Sequence, residues 1–236
     1  MEGVTDVTTV LLVRHGLTDA NTGGLLAGWT RGVHLAERGR EQVRSLAERL
    51  AKVPVAALVS SPLERCQETA AALVAGRDLE VTTDDRLGEC RYGDWTGQEL
   101  KKLVKDPLWK VVQAHPSAAT FPGGEALRDT QARAVAAVRD YNAKLGAEAT
   151  WVAVTHGDVI KAVLADALGM HLDMFQRLLV DPCSVSVVRY TELRPFVVRI
   201  NDVGGAVGDL APAKRARRRR ASSDAVVGGG AGSTAE

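Results

Sequence analysis

Apolar positions follow two periods along this chain, and the two periods take turns. Residues 7–13, VTTVLLV, are short and β-branched, the pattern of a strand buried on both faces. Over residues 37–51, apolar Val43, Leu46, Ala47 and Leu50 fall at helical spacing and predict an amphipathic helix. A second strand, residues 55–60 (VAALVS), runs into SPLE, where Ser61 is the expected N-cap, Pro62 the first helical residue and Glu64 the capping-box partner. TGQE at residues 96–99 repeats that spacing ahead of another expected helix. A longer helix is expected over residues 125–145, with Leu127, Ala134, Val138, Tyr141 and Leu145 on one stripe. TWVAVT at residues 150–155 is a third buried strand, followed by HGDVIKAVLADALG, a helix stopped by Gly169. Two late β-rich stretches, residues 184–190 and 196–200, are placed at the sheet's margin. This order predicts an α/β domain: a three-layer α/β/α sandwich with a mostly parallel central sheet.

Composition narrows the class. In 236 residues, 45% are apolar and 25% charged, the balance of a globular domain, and the apolar runs are far too short for a membrane span. The N-terminal residues, with Glu2 and Asp6, lack the layout of a secretory signal. Three scattered cysteines imply no disulfide framework, and a cytoplasmic location is the expectation. The net charge of +1 hides a division: residues 212–236 carry +4 and the remainder −3. Residues 1–207 are therefore expected to fold, and residues 208–236, basic at KRARRRR and then rich in Gly and Ala, to be a disordered tail. That tail could meet nucleic acid, but a solvated terminus is the preferred reading. Oligomeric state is not legible.

Three predicted strands end in chemistry. Val13 is followed by Arg14-His15-Gly16, Ser60 by the helix whose first turn holds Arg65, and Thr155 by His156-Gly157. Ligands of an open parallel sheet bind beyond the carboxyl ends of its strands, so Arg14, His15, Arg65 and His156 are expected to meet there. Two arginines, two histidines and helix N-termini form an anion site suited to phosphate. Neighbouring arginines disfavour an imidazolium, and a neutral imidazole is a competent nucleophile toward phosphorus. Glu89, on a loop after Leu87, is the candidate acid for the leaving oxygen.

Five blocks in order, RHGLTDAN, AGWT, SSPLERCQETA, LGECRYGDWTG and VTHGDVIKAVL, resemble the histidine phosphatase superfamily, the phosphoglycerate mutase-like enzymes. The resemblance covers residues 7–199. It implies His15 as the phosphorylated nucleophile, Arg14, Arg65 and His156 as ligands of the phosphoryl oxygens, Asn21 in the phosphate pocket and Glu89 as proton donor. It implies no metal and no organic cofactor. The compact stretch 101–121, leading to FPGGEAL, resembles the phosphatase branch, so the expected activity is hydrolysis of a small phosphorylated metabolite; a phosphomutase using the same histidine is the alternative. Leu17, Arg31 and Ala36 depart from the family pattern; none replaces a catalytic group, and Leu17 and Arg31 bear on the substrate-facing rim.

Rival chemistries are weaker. Zinc ligation by His15, His156 and Glu89 would set a dication beside Arg14, and no closely spaced ligand pair is present. Cys183 and Arg189 match a cysteine-x5-arginine spacing, but SVSVV between them has no glycine to wrap phosphate and alternates like a strand. Lys101, Lys102, Lys105 and Lys110 are assigned to a solvated helix face, and His34, His115 and His171 to surface or packing.

Overall fold

The computed structural model describes residues 7–205 and 227–230. In chain order the described elements are β1 (Thr8–Arg14), α1 (Asp19–Thr22), α2 (Glu37–Leu50), β2 (Ala57–Ser60), α3 (Glu64–Val74), β3 (Val81–Thr83), α4 (Leu100–Leu103), α5 (Pro107–Ala114), α6 (Leu127–Leu145), β4 (Thr150–Thr155), α7 (Gly157–Ala167), β5 (Val185–Tyr190) and β6 (Pro195–Asp202). The six strands form one sheet in the order β3-β2-β4-β1-β5-β6. The first four are mutually parallel, while β5 and β6 add to β1 as an antiparallel margin. The expected α/β sandwich with a mostly parallel sheet is the fold.

Alternation along each strand builds the layers. Val10 and Leu12 of β1, Val59 of β2 and Trp151 and Ala153 of β4 face one side, against Ala134, Val138, Ile160 and Val163 of α6 and α7. Leu11, Val13, Leu58, Val152 and Val154 face the other, against Val43, Leu46, Ala70 and Leu73 of α2 and α3. A third cluster, with Tyr92, Trp95, Trp109, Phe121 and Phe175, lies under the long connection between β3 and α6. Trp95 stacks on Trp109 at 6.1 Å and meets Phe121 edge-on at 5.3 Å. These aromatics stiffen the segment that carries Glu89.

Local reading went astray at two helix starts, for tertiary reasons. The helix expected to begin behind Ser61 begins at Glu64, with Leu63 as an N-cap that makes no side-chain bond. Ser61 instead extends the β2 ladder, its N–H donating to Val154 O at 2.9 Å, and its hydroxyl lies 2.8 Å from His156 Nε2. Thr96 does not cap α4 either, because residues 97–100 pair with 24–26: Gly97 N–H donates to Leu26 O (2.7 Å) and Leu100 N–H to Gly24 O (2.9 Å). Three further elements are α1, β3 and α5. The last opens on Asp106, which accepts from Leu108 N–H, with Pro107 in the first turn, a start signal as plain as any in the chain. Leu17 is buried, whereas Arg31 is exposed.

Candidate active site

Strand register brings the chemistry to one level. Val13 pairs with Val154, which pairs with Ser60, so β1, β4 and β2 end side by side. His15 N–H then donates to Thr155 O at 3.0 Å, fixing the backbone one residue past β1. Two glycines let the following turn lie flat on α2: a Cβ on Gly16 would come within 2.9 Å of Gly39 O, and one on Gly39 within 2.1 Å of Leu17 O. Arg65 enters from the first turn of α3, and His156 caps α7. Arg14, His15, Arg65, Glu89 and His156 are all buried, and they converge.

The hydrogen bonds of His15 define which of its ring nitrogens carries the lone pair. Nδ1 lies 2.7 Å from Gly16 O, an acceptor only, so Nδ1 carries the proton and Nε2 the lone pair. Arg65 Nε donates toward that Nε2 at 3.3 Å, and the His15 and His156 rings meet edge-on at 5.3 Å. Burial, and then the charges of Arg65 and Arg14, hold His15 well below the ordinary histidine range, so it is neutral at pH 7. Burial and Arg65 do the same to His156.

Arg65 is held by Gly28 O at 2.8 Å and by His156 Nδ1 at 3.2 Å, and its Nη1 is a buried donor with no hydrogen-bond partner among the described residues. Asn21 lines the same cavity while its Oδ1 accepts from Thr18 N–H and the Thr18 hydroxyl, so it also closes the turn before α1. Arg14 donates through Nη1 to Val180 O at 2.7 Å.

Glu89 sits opposite the imidazoles, Oε2 at 3.7 Å from His156 Nδ1 and Oε1 accepting from Cys90 N–H at 3.0 Å. Burial, and then the carboxylate of Asp158, push its carboxyl up to about 7, against the pull of Arg65 and Arg14. A carboxyl with that poise is present near neutrality as both acid and carboxylate, so it can give up a proton and take one back.

Sequence reasoning missed the residues that aim this carboxyl. Arg133 of α6 donates to three successive stations of the loop: Arg86 O (2.7 Å), Gly88 O (2.8 Å) and Glu89 O (3.0 Å). Its fork is completed by Glu125 at 2.7 and 3.1 Å. Trp29 Nε1–H donates to Glu89 O at 2.6 Å, and its ring passes where a Cβ on Gly88 would lie, 2.4 Å away. Tyr92 and Asp158 were missed as well; the Tyr92 hydroxyl donates to Asp158 Oδ2 at 2.8 Å, and Lys161 Nζ stands 3.6 Å from Oδ1. No local motif announces Arg133, because its carbonyl partners lie on a loop more than forty residues away in sequence.

The other assignments fall outward. Lys101 and Lys102 are exposed and pair with Glu99. His34, His115 and His171 have exposed side chains. Arg189 is exposed on β5, apart from the buried Cys183. The basic run 214–220 lies outside the described residues, but residues 227–230 depart from the expected solvated tail: Val227 is buried beside the aromatic cluster.

Comparison with known proteins gives this geometry its family. Residues 10–203 match the histidine phosphatase superfamily (branch 1), and the chain belongs to that family. It is similar to phosphoserine phosphatase 1 of Hydrogenobacter thermophilus, 29% identical over 81% of this chain and 91% of that one. It is also similar to the glucosyl-3-phosphoglycerate phosphatase of Mycolicibacterium vanbaalenii, 33% identical over 71% of this chain and 77% of that one. The solved structure of YhfR from Bacillus stearothermophilus aligns with a TM-score of 0.78 at 30% identity, covering 84% of this chain and 98% of that one. Among the described residues, no helix is long and apolar enough to cross a membrane.

Proposed function

We propose that this protein hydrolyses small phosphomonoesters through a phosphohistidine on His15. The observation that carries the reading is the pairing of a neutral, oriented imidazole with a buried carboxyl raised to about 7 across one small cavity. In the first step the Nε2 lone pair attacks phosphorus, the P–O ester bond breaks, and the Glu89 proton passes to the leaving oxygen. In the second, Glu89, now a carboxylate, takes a proton from water as its oxygen attacks phosphorus. The P–N bond breaks, Nε2 regains its lone pair, and orthophosphate leaves. Arg14, Arg65, His156 and Asn21 hold the non-bridging oxygens, whose charge the two guanidiniums match. His15 Nδ1–H stays on Gly16 O throughout and stabilises the charged phosphoimidazole.

The substrate is a small phosphorylated metabolite, in keeping with relatives named as phosphatases of phosphoserine and glucosyl-3-phosphoglycerate. Lys101 and Lys102, engaged with Glu99 and exposed, are poorly disposed to grip a second anionic group, which favours hydrolysis over phosphoglycerate isomerisation. A panel of phosphomonoesters, including 3-phosphoglycerate with a bisphosphorylated primer, tests the reading. Release of orthophosphate from at least one ester, abolished by His15→Ala, is expected. Efficient isomerisation with little release would overturn the hydrolytic half.

A further inference from the structure

The catalytic cavity is narrowed by this chain's own residues. Its lining includes His15, Arg65 and Glu89 on one side and Val227, Gly228 and Gly230 on the other. What remains open is ≈ 20 Å³, whereas one water already needs about 10–15 Å³. A phosphoryl group, four heavy atoms, is larger than that space.

Residues 227–230 are tied in by complementary polarity. Arg14 Nη2 donates to Gly230 O at 2.6 Å and to Gly228 O at 3.3 Å, while Gly228 N–H donates to Asp158 Oδ2 at 2.9 Å. Main-chain carbonyls thus rest on a guanidinium, and a main-chain amide rests on a carboxylate. Val227 anchors the segment in apolar surroundings that include Leu26 and Tyr92. Glycine is required behind it: Gly228 has φ +73°, and a Cβ there would stand 3.0 Å from Leu26 Cδ1. The sequence GGG at residues 228–230 supplies a strip of backbone thin enough for a slot this narrow.

We infer that residues 227–230 are an internal competitor of the substrate phosphoryl group for Arg14, so that the enzyme rests plugged and works only in the fraction of molecules whose plug is out. This rests on the proposed reaction only in naming Arg14 as a phosphoryl ligand. The same Nη2 hydrogens cannot serve the glycine carbonyls and phosphoryl oxygens together. Binding therefore selects the open state, and apparent affinity falls by the open fraction.

The test uses the full chain with Val227→Asp, which places a charge in the apolar anchor site, and independently Gly228→Val, which a φ of +73° disfavours. Binding of orthophosphate, followed by calorimetry, needs no turnover. Both variants are expected to bind it about tenfold more tightly, as when a resting open fraction near one tenth becomes the whole population. For whichever aryl phosphate is turned over, KM should fall by the same factor with kcat unchanged. A synthetic peptide of residues 222–236, added to Val227→Asp, should restore weak binding in competition with orthophosphate.

Unchanged or weaker orthophosphate binding in both variants overturns the inference, weaker binding meaning that the segment is a wall of the substrate site. Tighter binding without turnover of any ester would leave the plug standing and defeat the hydrolytic reading. Turnover through His15 with unaltered binding would do the reverse.

Discussion

Replacing Arg133 with methionine isolates what aiming the proposed acid, Glu89, is worth. The substitution keeps most of the aliphatic bulk and removes three bonds to the Glu89 loop, at 2.7, 2.8 and 3.0 Å, together with the fork on Glu125. Both side chains are mostly buried, 19% and 14% exposed, and breaking such a pair from one side costs about 3 kcal/mol, a fall in Tm of roughly 10 °C. The protein should still fold, since the core around α6 is untouched. Glu89 O keeps only its bond from Trp29, so the carboxyl is free to drift by about 1 Å, a misplacement worth about a hundredfold in rate. That loss should appear in kcat for alkyl phosphates, whose leaving oxygen needs a proton, and stay within about threefold for an activated aryl phosphate. Steady-state kinetics on the two ester classes, with the pH profile of each, decides the matter. Equal losses on both classes with an unmoved alkaline limb would refute the positioning role and leave Arg133 a structural residue. Arg133→Lys, a point charge that cannot span three carbonyls, should recover stability more than alkyl-ester turnover.

With the Glu89 carboxyl raised to about 7, kcat/KM for alkyl phosphates should decline as pH rises through that value, and the decline should vanish in Glu89→Gln. Because the folded pKa lies above the ordinary 4.5, the carboxyl's contribution to stability is present below pH 4.5 and lost as pH rises toward 7; Glu89→Gln should be the more stable protein at pH 8 by thermal denaturation. Gly39→Ala, whose Cβ would press on Leu17 O at 2.1 Å, should cost about 2 kcal/mol or more and lower turnover by shifting the His15 turn, read by denaturant titration and kcat together. Phosphate release should survive excess EDTA, and its loss with recovery on adding zinc would contradict a histidine nucleophile.

What the sequence disclosed and what it hid divide along the distance over which each signal acts. Buried strands, and the alternation that assigns Val10 and Leu12 to one face and Leu11 and Val13 to the other, are properties of a few adjacent residues. The meeting of Arg14, His15, Arg65 and His156 followed from one topological rule applied to three strand ends. At Ser61 the hydroxyl does accept from Leu63 N–H at 3.3 Å, but Ser61 N–H is held in the β4 ladder and the helix starts only at Glu64; after Thr96, residues 97–100 pair with the 24–26 backbone and move the helix start to Leu100. Local preference yields when a tertiary bond satisfies the same group. Arg133, Trp29 and Asp158 stayed hidden since nothing about a helix arginine or a loop tryptophan says which distant carbonyl it will find. The packing of Val227 was invisible for the opposite reason, being set in a composition that reads as unstructured throughout.

The covalent intermediate is the central claim, and it is open to direct observation. Wild-type and Glu89→Gln proteins, mixed with an activated aryl phosphate and quenched within milliseconds into alkali, should gain one phosphoryl group by intact mass. The adduct should be lost in acid, map to His15, and be absent from His15→Ala. It should accumulate further in Glu89→Gln, where the first step needs little proton donation and the second has lost its base. Sustained phosphate release from proteins that stay unmodified under every quench would contradict the account, making water the direct nucleophile and His15 only a ligand of the phosphate.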